Sequence, residues 1–560
     1  MRVALAQINP TVGDVPGNAA ACERAITQAR DAGARLVVLP ELCISGYPPK
    51  DLVHRPDFIR ACAATAKRVG ESCTRGLTAV IGTPLPLDSA GISNSLVVYR
   101  DNALVNYYDK RLLPTYDVFD EDRYFVPGSR AVVIDVDGTR VGLAICEDLW
   151  RGEDAGFASR YLDAPDPVFA AVDAGARLLV VPSASPYVLG KHDRHVSILR
   201  SHATRHGVPV CSVNQVGGND DLIFDGRACV IAPDGSVAAQ APAFREHLLI
   251  HDLGSHNGHA GESELGVERN VVEALTLGIR DYLRKTGFRK ALIGLSGGVD
   301  SALTAALAVR ALGSDNVFGV ALPSRYSSEH SRTDAHDLAE RLGITCLTVP
   351  IVEAHGAMHE AINPAFSEMG QRLLGQTLPD LADENLQSRL RGTILMTISN
   401  RTGALVLTTG NKSELAVGYC TLYGDMNGGL AVLSDVPKTL VYRVSRWMNE
   451  HPDLCGFASS PIPERTIIKP PSAELAPHQK DSDSLPEYDV LDVIIERWVE
   501  RHEDVATIVK ATGFDESLVR RVARLIDVNE YKRKQMAVGL KVTELAFGSG
   551  RRMPIARGWW

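Results

Sequence analysis

Residues 291–301 read Ala-Leu-Ile-Gly-Leu-Ser-Gly-Gly-Val-Asp-Ser. The apolar run 291–295 enters a glycine turn at Ser296-Gly297-Gly298, and an alanine-rich helical run over 302–312 follows. Strand, glycine turn and helix together make a phosphate cradle. Glycines let the backbone turn tightly and approach a ligand, and the helix N-terminus offers free N–H groups and a partial positive charge. No Gly-Lys-Ser/Thr closes the loop, so it is not a Walker A loop. Further β runs at 317–322, 345–349 and 404–408 alternate with helical stretches. That alternation predicts a doubly wound, Rossmann-like parallel sheet with its ligand at the strands' C-terminal ends. A helix with Val267, Val271, Val272, Leu275, Ile279 and Leu283 on one face opens this half and stops near Gly287.

Upstream, residues 1–250 also alternate β runs (3–7, 35–40) with helical patterns (18–32), an α/β reading. The segment from Ala32 to Glu41 echoes that from Ala174 to Ser183: in each, a helix ends at glycine and feeds a buried strand that stops at proline. The echo predicts two equivalent strands whose C-terminal ends face one site. Residues 251–266 are polar and glycine-rich, which is linker chemistry. The predicted organisation is a first domain over 1–250, a linker over 251–266 and a second domain over 267–560. The proline-rich, polar stretch 467–485 reads as a mobile loop able to serve as a lid.

A 560-residue chain that is 45% hydrophobic and 23% charged has the composition of a soluble protein of two to four domains. Its net charge of −9 argues against a general nucleic-acid or membrane binder. Ten cysteines lie along the chain without a CxxC pair or a Cys/His cluster. They read as reduced thiols of a cytoplasmic protein, with neither a disulfide framework nor a zinc site expected. The run Met1–Gln7 looks like a core strand, not a signal peptide, and no apolar stretch is long enough to span a membrane.

Three segments of the first half fit one chemistry. Glu41 follows the β run 36–40, Lys110 lies in Tyr107-Tyr108-Asp109-Lys110-Arg111-Leu112, and Cys146 follows the β run 141–145. A cysteine on a sharp turn after a strand is where a nucleophile is presented. Its thiol needs a base or a nearby cation to react. Glu41 is the candidate base, and Lys110 the partner of the thiolate and of a tetrahedral oxyanion.

The trio with its flanks, Leu39-Pro40-Glu41, Tyr108-Asp109-Lys110-Arg111 and Ile145-Cys146-Glu147-Asp148, resembles the nitrilase (carbon–nitrogen hydrolase) superfamily over roughly residues 1–250. The resemblance implies an α-β-β-α sandwich that hydrolyses a non-peptide amide through a thioester. In the glutaminase members, substrate contacts fall at positions matching Tyr116, Glu147, Ser185 and Lys191, and the Lys191 cation suits the α-carboxylate of glutamine.

The loop Ser-Gly-Gly-Val-Asp-Ser resembles that of the ATP pyrophosphatases, which implies ATP contacts at Gly294, Leu295, Ser296, Gly297, Gly298, Val299, Asp300 and Ser301, with Thr409. Glu414 falls where a helix begins, and with Asp300 it is the candidate ligand pair for Mg²⁺, which takes oxygen ligands and bridges phosphates. Pro323-Ser-Arg-Tyr-Ser-Ser-Glu-His, Glu384-Asn-Leu-Gln, Thr409-Gly-Asn-Lys-Ser-Glu414, Lys438 and Asn529-Glu-Tyr-Lys532 together resemble the NAD synthetases over about 262–545. Joined to the first half, the whole chain resembles the glutamine-dependent members of that family. This implies deamido-NAD, ATP and glutamine as small-molecule substrates, with Asn385, Glu414 and Lys532 as deamido-NAD contacts, a homo-oligomer, and a channel carrying ammonia between sites. GMP and asparagine synthetases pair such a loop with a Cys-His-Glu triad or an N-terminal cysteine. Here residue 2 is arginine and the Glu41–Lys110–Cys146 set is present instead. A nucleotide-binding sensor would be expected to have lost catalytic residues, and both sets are complete.

Overall fold

The computed structural model describes residues 1–88, 91–151, 161, 163–255 and 265–558. The chain divides into two compact units, Met1–Leu265 and Gly266–Trp560.

In the first unit, two six-stranded sheets lie face to face between helices. One sheet has the order His247–Asp252, Arg2–Gln7, Leu36–Val38, Thr78–Leu87, Gly91–Arg100, Ala103–Asp109. The other runs Val237–Gln240, Cys229–Ile231, Val210–Asn214, Leu178–Ser183, Thr139–Leu143, Val133–Val136. The period-2 pleat sorts the side chains. Val3, Leu5, Leu36, Val38, Leu178 and Val180 point between the sheets and form one core. Their neighbours Ala4, Ala6, Val37 and Leu39 pack outward on helices Val15–Asp31 and Pro56–Cys73. Leu179 and Val181 pack outward on helices Pro167–Asp173 and Lys191–His206. This is the expected α-β-β-α sandwich, and each buried Val or Leu in it contributes roughly 1.5–3 kcal/mol. Asp14 and Asp166 start their helices by accepting from the N–H groups of Gly17 and Phe169, and Gly207 in the left-handed region ends another.

The second unit holds a five-stranded, all-parallel sheet in the order Thr345–Thr348, Val317–Ala321, Ala291–Gly294, Leu405–Thr408, Leu430–Ala431. Counted within the unit this is 3-2-1-4-5, so the order reverses between Ala291–Gly294 and Leu405–Thr408. A crevice for a ligand opens there in a doubly wound sheet. Leu292 packs with helix Leu381–Thr402 on one face while Ile293 is buried on the other, so both faces are covered.

Several boundaries differ from expectation. The helix after the glycine turn begins at Val299, not at 302, because Gly298 already stands in extended geometry as its cap. The strand before Cys146 is Thr139–Leu143 and stops short of 145. Strand His247–Asp252 runs into the stretch read as linker, because His251 and Asp252 pair with Val3 and Arg2; residues 256–264 of that stretch lie outside the described residues. Strand Leu430–Ala431 was not anticipated, since two residues paired to Leu407 and Thr408 carry no periodicity. The stretch 467–485 takes the end of helix Glu464–Ile468 and a short turn at Asp481–Asp483, with no regular element between.

Candidate active sites

The two echoing strands, Leu36–Val38 and Leu178–Ser183, lie one in each sheet of the sandwich, and their C-terminal ends meet. Glu41 Oε2 accepts the N–H of Ala184 at 2.9 Å. Its other oxygen accepts from Asn94 Nδ2 at 2.7 Å and from Lys110 Nζ at 2.7 Å. Lys110 also donates to Glu121 Oε1 at 2.8 Å, which accepts from the Tyr47 hydroxyl at 2.8 Å. Glu41 and Lys110 are fully buried, so the ion pairs work in a low-dielectric interior. Burial alone would lower the Lys110 pKa, but Glu121 and Glu41 hold it well above the ordinary lysine range. Burial pushes the Glu121 carboxyl up to about 7 against the pull of Lys110.

Cys146 opens the short turn Cys146–Leu149 with φ of 42°, a left-handed conformation that a non-glycine residue adopts only when its surroundings enforce it. Asp148 supplies that enforcement. Its buried carboxylate accepts from Ile145 N–H at 2.9 Å and the Tyr108 hydroxyl at 2.7 Å, and from the N–H groups of Arg111 at 3.1 Å and Leu112 at 2.9 Å. The cysteine turn is thereby tied to the segment that carries Lys110. Burial, then the Glu41 carboxylate, push the Cys146 thiol well above its ordinary range, and Lys110 opposes them. Cys146 thus sits buried where the charges of Glu41 and Lys110 act on its thiol in opposite directions.

Around this trio, Glu147 accepts from Tyr116 at 3.1 Å and from Tyr161 at 2.8 Å. Burial raises the Glu147 pKa, while these hydroxyls, Lys110 and Lys191 hold it down. Lys191 Nζ donates to the carbonyl of Pro186 at 3.2 Å and lies 5.9 Å from the Trp150 ring centroid. Ser185 is pinned by Asn214 through two hydrogen bonds of 2.8 and 2.9 Å, and it lines a small cleft together with Lys191. Glu121, Asp148 and Tyr161 were missed from sequence. Asp148 stood in the string Ile145-Cys146-Glu147-Asp148 with no role assigned, and Glu121 left a fainter trace, an acidic residue eleven positions after the lysine inside an aromatic-rich run.

In the second unit a cavity of about 290 Å³ opens at the switch point. Gly294, Leu295, Ser296, Gly298, Val299, Asp300 and Ser301 line it, with Thr409 and Glu414 opposite. Gly297 is not in the wall. Its φ is 77°, and a Cβ there would lie 2.6 Å from the carbonyl oxygen of Ser331, so the turn closes only with glycine. Helix Val299–Leu312 has no side-chain cap, which leaves its first N–H groups to a ligand. Lys438 Nζ bridges the two acidic walls, bonding Asp300 Oδ2 and, at 3.0 Å, Glu414 Oε1. Burial raises the Glu414 carboxyl to about 7 despite Lys438. Asp300 is steadied by Asn411 at 2.9 Å. Lys469, Pro470, Pro471, Ser472, Ala473, Glu474 and Leu475 line the same cavity, which puts the proline-rich stretch in a lid's position. Asn385 and Lys532 do not line it. Asn385 accepts from Thr421 at 2.7 Å, and Lys532 donates to the carbonyls of Gly418 and Cys420 at 2.7 and 2.8 Å. Both support the turn over 418–421.

Two family models match, carbon-nitrogen hydrolase over residues 2–257 and NAD synthase over residues 271–536. The glutamine-dependent NAD(+) synthetase of Synechocystis sp. is 44% identical, with 100% of this chain and 99% of the relative covered. This chain belongs to the glutamine-dependent NAD⁺ synthetases. That of Thermotoga maritima is 39% identical, covering 99% of this chain and 98% of its own. A solved structure of the glutamine-dependent NAD⁺ synthetase from Acinetobacter baumannii, in complex with ADP, is 37% identical with a TM-score of 0.76, covering 100% of this chain and 99% of its own. Glutamine-dependent NAD⁺ synthetases are carbon–nitrogen ligases that amidate deamido-NAD at the expense of ATP, with ammonia from glutamine, and this is the reaction of the chain. The hydrolase unit and the synthetase unit each carry one of the two sites described above.

Proposed function

We propose that the chain divides its reaction between these two constellations. A carboxylate resists ammonia because its carbon is electron-rich and its oxygen a poor leaving group. In the synthetase unit the deamido-NAD carboxylate attacks the α-phosphorus of ATP. Pyrophosphate leaves toward the Ser296–Ser301 turn and helix N-terminus, and an acyl-adenylate remains. Ammonia adds to the acyl carbon and AMP departs with the C–O electron pair. Thr409 helps hold ATP, while Asn385, Glu414 and Lys532 serve deamido-NAD, the first and last through the 418–421 turn. Asp300 and Glu414 are the right donors for Mg²⁺: two carboxylates converge on one point, where the Lys438 ammonium now sits between them. The ion would neutralise charge on the phosphates. The residues themselves orient the nucleotide, and the 469–475 segment keeps water from the adenylate.

In the hydrolase unit, Cys146 Sγ attacks the glutamine carboxamide carbon as Glu41 takes its proton. Lys110 stabilises the oxyanion. The tetrahedral centre then collapses, the C–N bond breaks, and ammonia leaves with the proton held by Glu41. Water, deprotonated by Glu41, cleaves the thioester to glutamate. Tyr116, Glu147, Ser185 and Lys191 hold the amino-acid end, with Lys191 facing its carboxylate and Glu147 its ammonium. The observation that carries this reading is the buried Glu41–Lys110 pair beside a cysteine held left-handed. A cytoplasmic location suits the ten cysteines, all free thiols. A homo-oligomer completes the proposal, and sedimentation of the purified chain tests it.

The deciding experiment is Cys146→Ala, followed through NAD⁺ formation with glutamine or ammonium as the nitrogen source. Glutamine-driven synthesis is abolished and ammonium-driven synthesis persists. A variant that still uses glutamine refutes the nucleophile. A folded variant that fails with ammonium refutes the division of labour.

A further inference from the structure

Helix Val352–Glu368 carries His355 and His359 one turn apart, on a face directed at the start of helix Leu381–Thr402, where Asp383 lies. All three side chains are buried. Their ligand atoms form a triangle: His355 Nε2 to Asp383 Oδ1 is 2.6 Å, His359 Nε2 to the same oxygen is 2.7 Å, and the two nitrogens are 3.0 Å apart. With Asp383 as a carboxylate, protons do not satisfy this triangle. Each Nε2 carries at most one hydrogen and the carboxylate none. If both N–H groups point at Asp383, two like dipoles face each other across 3.0 Å. If one points at the other histidine, that nitrogen turns a lone pair toward the carboxylate. Each arrangement leaves one close contact repulsive in a buried site, where such contacts are costly.

A single cation at the centre satisfies all three edges. We propose that His355, His359 and Asp383 bind a divalent transition metal, with zinc the best match. Two imidazoles and one carboxylate are a zinc-type donor set, and histidines four apart on one helix converge on one ion. Ligands on a tetrahedral zinc at about 2.0–2.1 Å stand about 3.3 Å apart, so the edges of the triangle open by about 0.3–0.7 Å to admit the ion. Gly375, with φ of 77°, packs against the far edge of the His359 ring, where a Cβ would lie 2.7 Å from Nδ1, so the ring keeps its place only beside a glycine. The three residues lie outside the lining of the nucleotide cavity and join two helices. One of these, Leu381–Thr402, presents Ser388 and Arg391 to the nucleotide cavity, and its Gln387 side chain donates to the Leu475 carbonyl of the overlying segment at 3.0 Å. A metal there fixes the end of that helix.

The test uses the full-length chain, stripped with a chelator, loaded with zinc and desalted. Metal content is compared between wild type and His355→Gln/His359→Gln, so that binding to cysteines cancels. Wild type retains about one zinc more per chain than the double variant, and a competing chromophoric chelator gives a zinc affinity roughly 100-fold higher or more. Cobalt loading of wild type gives tetrahedral ligand-field bands that zinc removes. If the double variant does not fold, the cobalt spectrum of wild type alone decides. Equal zinc content in the two proteins, or cobalt spectra that show thiolate ligation only, overturns the site.

Discussion

Replacing Lys110 by methionine keeps the length of the side chain and removes its charge. The ammonium lies 2.7 Å from Glu41 and 2.8 Å from Glu121, with all three side chains at most 5% exposed. Breaking such a buried pair from one side costs about 3–5 kcal/mol. The strain has one outlet, protonation. Glu121 already sits near 7 with the lysine present, and without it that carboxyl shifts further toward the neutral form. The expected result is a first unit less stable by about 3 kcal/mol, since proton uptake recovers part of the cost. Glutamine hydrolysis suffers twice. Loss of an oxyanion partner costs about 10²–10³ in kcat, and Glu41 loses one of the hydrogen bonds that position it as the base. Groups acting as a unit do not add, so the net loss is about 10³ or somewhat more. Glutamate release reads the activity, urea unfolding the stability, and ammonium-driven NAD⁺ formation the second unit. A folded Lys110→Met that hydrolyses glutamine within tenfold of wild type, or loses ammonium-driven synthesis as well, refutes the reasoning.

Glu121 ties activity and stability to pH in opposite senses. Its folded pKa of about 7 exceeds the ordinary carboxyl value, so the folded chain binds the extra proton and stability falls as pH rises from about 4.5 to 7. Glutamine hydrolysis should gain an acid limb near pH 7 that Glu121→Gln removes from the pH–rate profile; a limb unchanged in the variant counts against the assignment. Asp300→Ala removes one of the two carboxylates that Lys438 bridges, and pyrophosphate release is expected to fall by about 10² or more while glutaminase activity survives; normal pyrophosphate release contradicts the metal role. Gly297→Ala forces a Cβ against Ser331 at a positive φ, so the KM for ATP should rise at least about tenfold with a stability loss of about 1–3 kcal/mol; wild-type ATP saturation means the loop is not the cradle.

What sequence shows well is local. The glycine turn at 296–298, the β runs around it and the cysteine turn at 146 are set by glycine freedom and period-2 patterning, so they lie near their expected positions. Even the meeting of the two echoing strands was readable, because each ended in the same pattern. What sequence conceals depends on distant contacts. Glu121 matters through a lysine eleven residues away that only a buried ion pair explains. Asp148 looks like an ordinary acidic residue until its carboxylate reaches the N–H groups of Arg111 and Leu112. Asn385 and Lys532 occur in family-like strings, yet their side chains turn to the 418–421 region and not into the cavity. His355 and His359 showed no cluster in sequence because the third member is 24 positions further on and on another helix.

Glu41 takes one hydrogen bond from Ala184, which follows a strand of one sheet, and two from Asn94 and Lys110, which belong to the other. The carboxylate is therefore a gauge of how the two sheets are aligned. Glu41 itself follows a strand of the sheet that carries Asn94, so sliding one sheet against the other strains the Ala184 bond and leaves the other two in place. An engineer seeking a different amide substrate should leave this anchoring alone and work at the Tyr116–Glu147–Tyr161 end. There the hydroxyls of Tyr116 and Tyr161 close on the Glu147 carboxylate, and none of the three is a hydrogen-bond partner that holds Glu41.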